Sequence, residues 1–104
     1  MLTAIYVYEP STVTIRARSP HERAMIRRFD ERQPDREALG TATLEPGIYA
    51  VLSRGELQIE WGEGRAEAMA LGKDEWPDPP ALEAGASREQ LRGFFDEILK
   101  GGEV

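Results

Sequence analysis

The stretch from Leu44 to Leu71, LEPGIYAVLSRGELQIEWGEGRAEAMAL, constrains this chain more than any other. Ile48-Tyr49-Ala50-Val51-Leu52 is short, apolar and rich in β-formers, the composition of a strand buried on both faces. Glu56 to Trp61 alternates without a break, with Leu57, Ile59 and Trp61 on one face and Glu56, Gln58 and Glu60 on the other. A slip of one residue would turn the polar set inward, so the register is well specified. Ala66 to Leu71 reads as a third strand, with Met69 and Leu71 on one face. Glu45-Pro46-Gly47 has the order of a type II turn, and Arg54-Gly55 and Gly62-Glu63-Gly64 punctuate the rest. The expectation is a three-strand meander with tight turns.

The N-terminal part adds two further strands. Leu2 to Tyr8 is β-branched and aromatic on both faces, as expected for a strand inside a sheet or under a helix. Thr12 to Arg18 alternates, with Val13, Ile15 and Ala17 inward and Thr12, Thr14, Arg16 and Arg18 outward. With Glu9-Pro10-Ser11 between them, the pair reads as an antiparallel hairpin. Ser19-Pro20-His21-Glu22 has the order of a capping box with proline at the first helical position, and predicts a helix over about 20–32. Met25, Ile26 and Phe29 form its apolar side. The competing strand puts arginine on both faces and is disfavoured. Gln33-Pro34 ends the helix, and Asp35 to Leu39 is expected to add a short turn.

Beyond residue 72 the texture changes. Three prolines in Trp76-Pro77-Asp78-Pro79-Pro80 exclude a helix and an interior strand, so 73–86 reads as an extended connector. Ser87-Arg88-Glu89-Gln90 opens a second capped helix ending near Lys100. Its Leu91, Phe94, Phe95, Ile98 and Leu99 make one apolar face, and burying it stabilises by roughly 1.5–3 kcal/mol per side chain before entropy.

These elements predict one α+β domain over residues 1–104: an antiparallel sheet of five or six strands, curved or partly closed into a barrel, with a helix after the N-terminal hairpin and the C-terminal helix covering the sheet. The strand–strand–helix order of the first half, with Pro34-Asp35 after it, resembles a β-grasp domain in element order, which implies a β-grasp-like N-terminal half.

Charge and composition bear on function. The net charge is −6, unevenly spread: residues 38–104 carry thirteen acids against six bases, and residues 11–36 carry seven arginines against four acids. Arg16, Arg18, Arg23, Arg27, Arg28 and Arg32 form the strongest partner signal. The acidic remainder opposes a polynucleotide, so an acidic protein partner or a homodimer is preferred, with nucleic acid as the alternative. The chain has no cysteine and no apolar run long enough to span a membrane, which fits a cytosolic setting. Eleven arginines against two lysines fit a GC-rich bacterial genome.

His21 is the single histidine and lies where solvent exposure is the rule, so no metal site and no nucleophile–histidine pair is expected, nor any cofactor. Asp74, Glu75 and Asp78 are close in sequence, but proximity supplies no cleft to separate their pKa values. Gly62-Glu63-Gly64 lacks a following helix and carries an acid, so it is not a phosphate loop. Trp76 is a candidate partner-binding residue because its prolines resemble a ligand for proline-reading grooves, although packing on the sheet is the simpler role. The reading is a non-catalytic protein-interaction module. The third alternative is a small-molecule binder or enzyme with a barrel-mouth pocket lined by Trp61, Trp76 and Tyr49.

Overall fold

The computed structural model describes residues 2–19, 21–29, 36–71 and 88–101. In chain order the elements are β1 (Leu2–Val7), β2 (Ser11–Ala17), β3 (Ala24–Arg28), β4 (Arg36–Glu37), β5 (Gly40–Leu44), β6 (Gly47–Ser53), β7 (Leu57–Trp61), β8 (Ala66–Leu71) and α1 (Arg88–Gly101). The strands form two antiparallel sheets, one of five strands in the order β4-β3-β6-β1-β8 and one of three in the order β5-β2-β7.

Three layers follow from the alternation of side chains. Ile5, Val7, Ile26, Tyr49 and Val51 leave the large sheet on one face and meet Val13, Ile15 and Leu44 of the small sheet, so the sheets share one apolar core. Leu2, Ala4, Tyr6, Ile48, Ala50 and Leu52 leave the opposite face and pack under Phe95 and Ile98 of α1. This is why β1 and β6 are buried along almost their whole length and mostly apolar: each is central in its sheet and covered on both sides.

The architecture corrects the expected fold class. The chain is a mostly-β, two-sheet protein with a single helix among the described residues. It is neither an α+β domain with a second helix nor a partly closed barrel. The predicted helix over 20–32 is β3, which pairs with β6. Ser19 does accept backbone hydrogen bonds, its Oγ from His21 N (3.4 Å) and its carbonyl from Glu22 N (3.2 Å), but these close a turn that leads into a strand. Ala24 and Ile26 then enter the core between the sheets, and Phe29 lies on the helix side. Arginine on both faces is tolerated because each has an outlet. The Arg27 guanidinium lies 3.9 Å from Glu97 of α1. Arg28 passes over the Tyr49 ring and donates to the Pro46 carbonyl at 2.6 Å. Without that helix the β-grasp resemblance has no counterpart here. Residues 36–37 and 40–44, read as a turn or left unassigned, form β4 and β5.

Two predicted hairpins are also absent. β1 and β2 lie in different sheets, and so do β7 and β8, so neither pair is hydrogen-bonded. Instead β1 and β2 form one long bent strand and β8 and β7 form its bent antiparallel partner. The ladder runs from Leu2↔Leu71 to Val7↔Ala66 in one sheet and resumes from Val13↔Trp61 to Ala17↔Leu57 in the other. The first arm carries one extra residue at the bend, which is how a strand turns a corner between packed sheets. Hydrogen bonds bridge the corner: Tyr8 N to Arg65 O (2.9 Å), Thr12 N to Glu63 O (3.0 Å) and Gly62 N to Thr12 O (2.8 Å). The meander fails for the same reason: β6 and β8 flank β1, while β7 lies beside β2. Gly47 is close to extended at φ 157°, not at the roughly +80° of a type II turn.

Candidate functional site

On one side of the molecule both sheets end, in β7 and β8, and among the described residues no further strand covers these edges. β7 is the last strand of the small sheet and β8 the last of the large one. Leu57, Ile59 and Trp61 point inward from β7 and are only half-buried, because β8 opposes them with alanines. A cleft of about 250 Å³ remains between the two edges, bounded by those residues and by Thr3, Ala68, Met69 and Ala70. Met69 is 39% exposed and is the exposed large hydrophobic side chain of the described structure. Sequence reasoning placed Met69 on a strand face but missed the alternation of Ala66, Ala68 and Ala70, which is what opens the cleft.

β8 carries one charge, Glu67, and that carboxylate is turned back onto its own sheet. The Tyr8 hydroxyl donates to Glu67 Oε1 at 3.0 Å, and the Arg65 guanidinium lies 5.0 Å from the Tyr8 ring centroid. Desolvation, followed by the hydrogen bond and charge of Glu67, raises the Tyr8 pKa, with Arg65 opposing.

Tyr6, on the same face of β1, is buried and its hydroxyl has no hydrogen-bond partner among the described residues. Burial first, then Tyr8 and Glu67, push its pKa from 10.0 up to about 12. The folded state therefore holds this proton at pH values where the unfolded chain releases it, and stability falls as pH rises from 10 toward 12. Tyr6→Phe removes both the orphan hydroxyl and this titration. In urea unfolding from pH 8 to 11.5 it is expected to match or exceed the wild type at pH 8 and to lose less stability above pH 10. Parallel curves for the two proteins across that range would refute this account.

The arginines expected to form one surface are dispersed over the molecule. Arg16 and Arg18 project with Thr12 and Thr14 from the outer face of the small sheet, where Arg18 meets Glu56 at 3.2 Å. That pair is exposed and contributes at most about 1 kcal/mol. Arg27 faces α1 on the far side of the large sheet, and Arg28 lies at the margin near Pro46. Arg23 is exposed just ahead of β3. Trp76 lies outside the described residues, as do Arg32, the acids Asp74, Glu75 and Asp78, and the whole 73–86 connector. Of the residues proposed for a barrel mouth, Tyr49 is in the inter-sheet core with its hydroxyl donating to Glu45 O at 2.7 Å, and Trp61 borders the β7–β8 cleft.

Among the described residues, no group of three or more histidine, cysteine or acidic side chains is arranged to hold a metal ion. In the same residues, no helix is long and apolar enough to cross a membrane. No family model matches the chain, and neither the curated proteins nor the solved structures contain a significant match to it.

Proposed function

We propose that this protein is a non-catalytic interaction module that pairs through β8, and that its first partner is a second copy of itself. The observation that carries the reading is an edge strand lacking the usual guards. Natural sheet edges are blunted by charges, proline or bulges. β8 offers six residues with one acid, and that acid is held by Tyr8.

Charge supports a second copy as the occupant. A two-fold axis at Met69 would set Met69 against Met69, Ala68 against Ala70 and Glu67 against position 71 of the second copy, each pair on one face of the joined sheet. The two Glu67 residues then stand four positions apart, about 13 Å along the strand. That separation exceeds the Debye length of about 8–10 Å at moderate salt, so their repulsion is screened. Met69 meets Met69 of the second copy across the axis, and the two five-stranded sheets continue into one. Such an interface is small, which implies a dimer in the micromolar range.

Sedimentation equilibrium across concentrations tests it. The wild type is expected to shift from monomer to dimer, and Met69→Lys, which sets two like charges beside the axis, to stay monomeric with an unchanged melting temperature. A wild type that is monomeric at millimolar concentration would overturn the proposal, and so would a Met69→Lys variant that dimerises as well as the parent.

A further inference from the structure

A second cavity, remote from β8 and independent of the dimer reading, lies between the sheets where β5 passes over β3 and β4. It encloses about 270 Å³. Its origin lies in β5. Gly40, Ala42 and Leu44 face inward there, opposite Ile15, Val13 and Ser11 of β2. Only Leu44 is large enough to reach across, and it is buried. Ala42 stays exposed although it points to the core side, and a Cβ added to Gly40 would find nothing within 4 Å. Close-packed interiors do not leave such space without cost, yet here the walls are Val13, Ile15, Ile26 and Ala38.

The mouth is polar. Arg36 pairs with Ile26 across the β3–β4 ladder and so stands on the same face as Ile26, toward the cavity, whereas Glu37 pairs with Met25 on the other face. Both residues border the opening.

We infer that this cavity binds a short aliphatic carboxylate, with its chain between the sheets and its head group on Arg36. Size and charge select that class. The volume lies just below the roughly 300–1,000 Å³ of most small-molecule sites, so it holds one short chain and excludes a nucleotide. A guanidinium recognises a carboxylate in a two-pronged geometry, and its five N–H donors let it do so beside the interaction that Arg36 already makes.

The test uses octanoate as the probe, followed by amide and methyl chemical shifts on the intact chain. Saturable shifts are expected at Ile26, Ala38, Ala42 and Leu44. Ala42→Leu, which fills the cavity, is expected to abolish them with the fold intact. Arg36→Gln, an exposed change that leaves the walls alone, is expected to weaken octanoate by about tenfold or more while leaving 1-octanol binding unchanged. Absence of saturable shifts at millimolar octanoate would overturn the site. Undiminished binding by Ala42→Leu would place the ligand elsewhere and overturn it equally. Equal loss of octanoate and octanol in Arg36→Gln would overturn the role of the carboxylate.

Discussion

Phe95→Ala is expected to be the most damaging single side-chain truncation in this protein, costing about 3–5 kcal/mol. Phe95 is 0% exposed and stands at the centre of the contact between α1 and the large sheet. Its ring lies 5.3 Å from Phe94, which meets Phe29 edge-on at 5.3 Å, so the truncation also loosens an aromatic chain linking α1 to the end of β3. A helix of 14 residues is marginal on its own and depends on docking. Against a total stability of roughly 5–15 kcal/mol for a domain, the loss is a large fraction, and the melting temperature should fall by at least about 12 °C. Phe94→Ala, at a half-exposed position, should cost clearly less. Thermal melts of both variants decide the matter, and equal losses would mean that α1 is held by its rim and not by Phe95.

Gly64→Ala is the second large effect and comes from the corner between the sheets. Gly64 has φ +99°, which side-chain-bearing residues rarely adopt. A methyl group there would also lie 2.7 Å from Ser11 Cα and press on Pro10 O and Ser11 Oγ. These neighbours are largely backbone and are tied down by the hydrogen bonds across the corner, so they cannot yield cheaply. Backbone strain of about 1–3 kcal/mol plus the clash points to a loss on the order of 3 kcal/mol or more. Gly40→Ala is the matched control: φ is +116° there too, but the added group meets open space. Unfolding in urea should show Gly64→Ala losing markedly more than Gly40→Ala. If both lost the same amount, backbone angle alone would be at work and the corner would not be the tight junction described.

Most strands were legible because their cues are local. The alternation in β2 and β7, the largely apolar runs of β1 and β6 and the apolar face of α1 all follow from side-chain period and burial. What was hidden is how the strands pair. Glu9-Pro10-Ser11 and Gly62-Glu63-Gly64 break the chain in the same way whether it reverses into a hairpin or bends into another sheet. The choice depends on the one-residue difference between the two arms, which involves residues more than fifty positions apart. The stretch after Ser19 misled for a related reason. Its serine does bond the backbone as a cap does, and the arginines of β3 looked incompatible with a strand because their outlets, Glu97 and Pro46, are remote in sequence. The β7–β8 cleft was missed because alanines give a weak alternation signal, and the β5 cavity because small residues mark a void only when the opposite wall is known.

The corner also bears on how the molecule is made. β1, β2 and β3 do not pair with one another: β1 pairs with β6 and β8, β2 with β5 and β7, and β3 with β4 and β6. A nascent chain that has emerged only as far as Arg28 therefore has no sheet to form. Apart from the two-residue β4, every partner of these three strands arrives between Gly40 and Leu71. Closing such distant pairs is entropically expensive and slow. β1 therefore has no strand partner until β6 is synthesised, whereas β2 gains its first partner slightly earlier, in β5.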